Sequence, residues 1–145
     1  MTWRELTEAI KAECKEAELP LKPPSGDRRA SVRGALAWVG DLQIEVIEPL
    51  SGHIDLFHRV MPADMSDATP HFHHIGVRRS DEAQMRDEVR NLGLPLLFES
   101  RNDDLGLVFI YVDATKILGH YIEFVSGQHS AWRLLGWPES KVVHP

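Results

Sequence analysis

The sequence predicts an α+β fold, and three observations support this class. The chain has 145 residues, of which 43% are hydrophobic and 26% charged, a composition that suits one soluble domain with a well-filled core. Its second half has the pattern of a strand, a helix and then three strands. Its first half begins with a helical pattern and ends in two strands.

In the first half, a helix is predicted over residues 2–19. Thr2 is its capping-box residue, because Glu5 follows three positions later. Apolar residues recur at spacings of three and four, at Trp3, Leu6, Ile10, Cys14 and Ala17. Pro20 ends the helix. Two strands and a short helix or turn then follow, over residues 31–39, 42–47 and 54–60.

The second half has clearer boundaries. Ser80 is the predicted N-cap of a helix that ends near Leu92, and Gly93 suits its C′ position. Four strands accompany this helix, over residues 72–77, 94–99, 107–112 and 121–125. Trp132 and Trp137 give the tail enough apolar bulk to dock on the domain or to form a subunit contact.

Charge and cysteine content exclude several classes of protein. The net charge of -6 argues against a nucleic-acid-binding surface. The single cysteine rules out an intramolecular disulfide framework and favours a reduced, cytoplasmic location. No apolar run approaches the roughly 18 residues of a membrane span, and the N-terminus has no signal-peptide pattern. We therefore expect neither a nucleic-acid nor a membrane partner.

Three strands carry a metal-type or acid/base side chain near their middle. Side chains alternate between the faces of a strand, so each of these residues shares a face with the residue two positions away. The pairs are Gln43 with Glu45, His74 with Gly76, and Tyr121 with Glu123. The same alternation predicts that at most one of His73 and His74 points into a given pocket.

Each of these residues also has a structural interpretation. His74 could be a hydrogen-bonded core histidine. Glu45 could lie on the solvated face of an antiparallel strand. Glu123 stands in an apolar strand, where an unpaired buried carboxylate is costly, so its structural alternatives are an edge position or a salt bridge. The three together indicate a site more strongly than any one of them.

Four segments resemble the vicinal oxygen chelate superfamily, which includes the glyoxalases, the bleomycin-resistance proteins and the methylmalonyl-CoA epimerases. They are QIEVIEPLSG at 43–52, HHIGV at 73–77, YVD at 111–113 and GHYIE at 119–123. Their order and spacing are most similar to the branch nearest the epimerases. The resemblance covers roughly residues 31–126.

This resemblance implies paired βαβββ modules that form an open, curved mixed sheet around a divalent metal ion. Residues 1–145 would form one glyoxalase-like domain. Within it, residues 1–60 would be a first module that lacks its opening strand, and residues 71–126 a complete second module. Residues 127–145 would be a docking tail.

Carried over by position, the family's metal ligands fall on Glu45, His74 and Glu123. Two carboxylates and one imidazole suit Zn, Ni, Co, Mn or Fe. The family commonly adds a histidine from the opening strand, but this chain has no histidine before His53, which leaves open a site without metal. Glu123 and His74 are the predicted catalytic residues, with Glu123 as the base and Glu45 as the alternative base.

The function expected from the resemblance is that of a metal-dependent lyase or isomerase, of the glyoxalase I or epimerase type, which removes a proton α to a carbonyl. Two alternatives stay open: a non-catalytic small-molecule binding protein and a metal-free acid/base isomerase. The predicted pocket residues are Gln43, Phe72, Phe109, Tyr111 and Tyr121. We also expect a homodimer, because an incomplete first module would leave a sheet edge to cover.

Overall fold

The computed structural model describes residues 15–21, 28–39, 42–64, 67 and 69–137. It confirms the predicted α+β class with open sheets. The chain divides into two compact units, Met1–Leu19 with Arg29–Ile54 and Pro20–Arg28 with Asp55–Pro145. No helix among the described residues is long and apolar enough to cross a membrane.

The first unit is built on a three-stranded sheet with the order β1-β2-β3. The strands are β1 (Lys15–Leu21), β2 (Arg28–Val39) and β3 (Leu42–Gly52). β2 and β3 pair antiparallel, with an irregularity between Ser31 and Val32, where Val32 stands opposite Pro49. A bulge accommodates a proline that cannot donate a ladder hydrogen bond. Pro49 therefore does not end β3, contrary to the boundary predicted near residue 47.

The predicted helix over residues 2–19 is wrong in its last part. Lys15–Leu21 is a strand at the edge of the sheet, and residues 2–14 lie outside the described part of the chain. The segment KEAELPL is rich in helix formers, but its apolar residues Ala17, Leu19 and Leu21 also recur at every second position, as in a strand. Pro20 is compatible with an edge strand.

The second unit has a short helix followed by a strand, a longer helix and three further strands, with one short helix before the last strand and another after it. Its helices are α1 (Asp55–His58), α2 (Glu82–Leu92), α3 (Thr115–Leu118) and α4 (His129–Leu134). Its strands are β4 (His74–Arg79), β5 (Leu96–Asn102), β6 (Leu107–Val112) and β7 (Tyr121–Ser126). They form one sheet with the order β4-β7-β6-β5, in which β4 is parallel to β7 and the other pairs are antiparallel.

The N-cap of helix α2 lies one residue later than predicted. Asp81, not Ser80, is the N-cap, and its side chain accepts a hydrogen bond from the Gln84 backbone N–H at 2.8 Å. Gly93 ends the helix in the left-handed conformation at φ 62°, as its C′ position requires. Met85 of this helix is fully buried against the sheet residues Val108, Ile110, Val112 and Phe124.

The opposite face of the same sheet receives the C-terminal tail. Trp132 on α4 is buried together with Leu107, Val125 and Ala131. The Trp132 indole N–H donates to the Gly127 carbonyl at 2.9 Å. Alternation along β7 places Glu123 on this face as well, since Phe124 faces α2. One face of the sheet is thus a helix-covered core, and the other carries the tail and the candidate site.

Candidate functional site

A histidine–glutamate pair lies where β4 meets β7 in the second unit's sheet. His74 opens β4 and Glu123 lies in the middle of β7, which runs parallel beside it. The parallel register sets Gly76 of β4 against Glu123, and the antiparallel register sets Tyr111 of β6 on the other side. Glu123 is therefore flanked by two neighbouring strands.

The two side chains approach each other closely and out of water. His74 Nε2 lies 3.5 Å from Glu123 Oε2, and the two side chains are 9% and 12% exposed. Two ligand atoms bound to one tetrahedral Zn-type ion, each at about 2.1 Å, would lie roughly 3.4 Å apart. The pair thus fits two adjacent ligands of a small divalent ion.

Gly76 makes room for this carboxylate. A Cβ atom added at residue 76 would lie only 3.2 Å from Glu123 Oε2. That separation is tighter than an ordinary van der Waals contact, so a larger residue would push the carboxylate aside. The motif HHIG thus supplies both the imidazole and the space beside it.

Tyr111 holds the imidazole from a third strand. Its hydroxyl lies 3.3 Å from His74 Nε2, and its ring stacks on Phe98 with centroids 4.6 Å apart and planes 19° apart. Tyr111 is buried, so its phenol has little freedom to leave this position. His74 Nε2 is therefore approached by a hydroxyl and a carboxylate at once.

His73 belongs to the same group of side chains. It precedes β4, which begins at His74 and not at the predicted residue 72, so strand alternation does not apply to it. Its Nδ1 lies 2.9 Å from His74 Nδ1, and the two rings are nearly perpendicular. The expectation that His73 and His74 point to opposite sides is therefore wrong.

Burial determines the protonation of His73. Burial, the largest cause, and the positive charge on a protonated His74 together lower the pKa of His73 to about 4, although the Leu56 backbone acts in the opposite direction. The ring stacks on Phe57 with centroids 5.0 Å apart. His73 is thus a neutral imidazole at pH 7.

The three predicted pocket residues of the second unit, besides Tyr111, occupy different environments. Tyr121 is fully buried and stands edge-on to His73, with ring centroids 5.1 Å apart. Phe109 packs with the tail cluster around Trp132. Phe72 is 65% exposed and contacts the His120 ring, an environment unlike the pocket wall expected for it.

The two predicted site residues of the first unit lie on β3. The register sets Glu45 opposite Leu36 and Gln43 opposite Trp38, and Glu45 is exposed. Their roles as a metal ligand and a pocket residue stay predictions from the sequence.

The sequence does not predict two of the side chains grouped around His74 and Glu123. Strand alternation from the predicted residue 72 onward separates His73 from His74, so it assigns His73 no place beside that ring. Phe98 gave no signal beyond an apolar position in a predicted strand. The signal for His73 is the group of histidines at the start of the strand, His71, His73 and His74, which leaves the strand's first residue ambiguous.

Comparison with known proteins gave no match, either to a family model or to a curated protein. The resemblance to the vicinal oxygen chelate superfamily therefore stays a prediction that depends on the four quoted segments.

Proposed function

We propose that this chain is a metal-dependent isomerase or lyase that moves a proton next to the carbonyl of a small organic substrate. One observation carries the proposal: an imidazole nitrogen and a carboxylate oxygen lie 3.5 Å apart with little exposure to water. His74 and Glu123 would hold a divalent cation at this place, because an imidazole nitrogen and a carboxylate oxygen are common ligands of such ions.

The chemistry divides between the ion and the chain. A bound ion would polarise the substrate carbonyl and ease loss of the neighbouring proton. Glu123 accepts that proton from the α-carbon and returns it to the same or an adjacent carbon, which completes an isomerisation. Tyr111 holds the His74 ring through its hydroxyl.

The role of Glu45 as a metal ligand needs a test of its own. Its assignment as a third ligand comes from the sequence, and the variant Glu45→Gln tests it independently of His74 and Glu123. An unchanged metal affinity in Glu45→Gln would remove Glu45 from the ligand set without touching the other two.

Exchange of the α-proton with deuterated water is the direct test. The purified chain, loaded with Zn, Ni, Co, Mn or Fe in turn, is incubated in D₂O with 2-hydroxy ketones, 2-oxo acids and acyl thioesters, and deuterium at the α-carbon is followed by NMR. We expect exchange with at least one class, lost at least 100-fold in Glu123→Gln. Glu48→Gln is the matched control, because Glu48 is an exposed carboxylate paired with Arg33.

The outcome separates the three functions. Exchange that stops on chelation supports the proposal. No exchange with any class, together with thermal stabilisation by a small molecule that survives chelation, would replace it with the binding function. Exchange that continues in the chelated protein would replace it with metal-free acid/base catalysis.

Metal-free catalysis has one observation in its favour. Tyr111, His74 and Glu123 form a continuous chain of contacts, at 3.3 Å and 3.5 Å through the same His74 nitrogen. Such a chain can pass a proton from a phenol or imidazole to a carboxylate without an ion. A bell-shaped pH profile in chelated protein would be its signature.

A further inference from the structure

The exposed apolar side chains of the second unit gather at one end of its sheet. In the part of this unit that the structure describes, the large hydrophobic residues that stay exposed are Phe72, Ile75, Leu92, Leu96, Ile117 and Leu118. All of them lie where β4, β5 and β7 begin and where α2 and β6 end. Single exposed apolar residues scattered over a surface are ordinary, but a group confined to one place is not.

The strand register shows that these positions are neighbours. One row of the register crosses all four strands, through Ile75, Ile122, Val112 and Leu96. Its two central members belong to the core under helix α2, and its two edge members, Ile75 and Leu96, are the exposed ones. Leu92 is the last residue of α2, which returns the chain to the start of β5.

The remaining three residues extend this row beyond the strands. Phe72 precedes β4, and its ring lies 5.1 Å from the ring of His120, which precedes β7. Helix α3, with Ile117 and Leu118, connects β6 to β7. Just before this helix, the Asp113 backbone N–H donates to the Pro95 carbonyl, which precedes β5, at 2.9 Å. We call the six exposed residues together the apolar end.

The apolar end has the size that a dimer interface needs. Its residues are 43–72% exposed. Complete burial of one such side chain removes on the order of 100 Å² from water, so the six present roughly 300–400 Å² of apolar surface. A standard interface buries about 800 Å² on each partner, of which roughly 55–65% is apolar. The apolar end therefore supplies most of the apolar part of such an interface.

We propose that the apolar end is the surface through which two copies of this chain associate about a two-fold axis. An apolar surface complements itself without matched charges, and two-fold dimers are the commonest homo-oligomers. A membrane surface fits less well, because the chain has a net charge of -6 and α3 carries a single cation, Lys116, whereas anionic lipids attract clusters of cations. The association involves no ion, so it is independent of the proposed function.

Leu118→Glu tests the proposal, with Leu42→Glu as its matched control. Both leucines are exposed, 54% and 64% respectively, but Leu42 opens β3 in the first unit. Sedimentation velocity over a dilution series gives the dissociation constant of the dimer. We expect the wild type to be dimeric at micromolar concentration. Leu118→Glu should dimerise at least about 100-fold more weakly, because a two-fold interface receives the new charge twice, and Leu42→Glu should match the wild type.

Amide exchange of the wild type gives a second test that needs no variant. Measured above and below the dissociation constant, exchange should slow on dimerisation in residues 71–76 and 114–120. Three results would overturn the proposal: a wild type that is monomeric at micromolar concentration, protection confined to other segments, or equal dimerisation of Leu118→Glu and the wild type. A monomeric wild type that sedimented with phosphatidylcholine vesicles, when Leu118→Glu did not, would assign the apolar end to lipid instead.

Discussion

Substituting Gly76 by alanine moves the Glu123 carboxylate without changing any donor atom. The new Cβ would lie 3.2 Å from Glu123 Oε2, the oxygen that approaches His74 Nε2 at 3.5 Å. An ordinary carbon–oxygen contact is a few tenths of an ångström longer, so the carboxylate must shift by about that amount. No strained backbone is involved, because Gly76 is not among the glycines with positive φ.

We expect the substitution to lower the metal affinity markedly and to change the stability of the fold little. Metal–ligand bonds tolerate only about 0.2 Å of error, and disturbing the groups that orient a ligand typically costs 10- to 100-fold in affinity. We therefore expect Gly76→Ala to bind the ion about 10-fold more weakly. Its free energy of unfolding in urea should change by less than about 1 kcal/mol, since alanine restricts the unfolded chain more than glycine does.

Gly34→Ala is the matched control. It lies on β2, and a Cβ there would meet its nearest neighbour, the Val46 carbonyl oxygen, at an ordinary 3.7 Å. Isothermal titration of the two variants and the wild type gives the comparison. Equal metal affinities in all three would refute the argument that the position of Glu123 Oε2 governs ion binding.

Three further predictions concern stability and assembly. The Thr115 hydroxyl and backbone N–H donate to the Asp113 carboxylate and lower the pKa of Asp113, so its stabilisation is present above its ordinary pKa and is lost as pH falls through the lowered value. At pH 7 the free energy of unfolding of Asp113→Asn should be roughly 1–2 kcal/mol lower than that of the wild type. This difference should shrink when the urea melts are repeated at acid pH. The Arg78 guanidinium lies 4.5 Å and 4.9 Å from the Trp132 and Trp137 rings, so Arg78→Ala should cost about 1 kcal/mol and speed amide exchange in α4, whereas equal exchange would contradict a clamping role. Light scattering at micromolar concentration should give the mass of two chains, and the mass of one chain would refute the homodimer.

The sequence predicts the second unit well because local and tertiary preferences agree there. The helix ends at Gly93, as predicted, and its N-cap, Asp81, lies one residue after the predicted Ser80. The predicted bounds of strand β6 are correct, because its apolar run, residues 107–112, is buried on both faces. Such runs leave little choice of element or of boundary.

The first unit shows where this agreement fails. The segment Lys15–Leu21 has the composition of a helix and the alternation of a strand, and pairing with β2 decides in favour of the strand. Pairing partners distant in sequence are invisible to local propensity. Pro49 is likewise tolerated only because of tertiary pairing: the register shifts beside it, and Leu50 of its own strand is the extra residue.

The sequence predicts part of the candidate site. Strand alternation predicts that His74 and Glu123 face the same side once β4 and β7 are neighbours, and the parallel register brings them together. The role of His73 could not be predicted in this way, because it depends on a strand boundary displaced by two residues. Phe98 could not be found either, since only the β5–β6 pairing brings its ring onto Tyr111.

Cobalt titration of the chelated protein tests the central claim most directly, because the visible spectrum of the ion reports both stoichiometry and ligand type. The account predicts one ion per chain, with binding lost in His74→Ala and in Glu123→Gln and retained in His71→Phe. A wild type that takes up no stoichiometric ion, or an ion that binds equally well to both ligand variants, would contradict it.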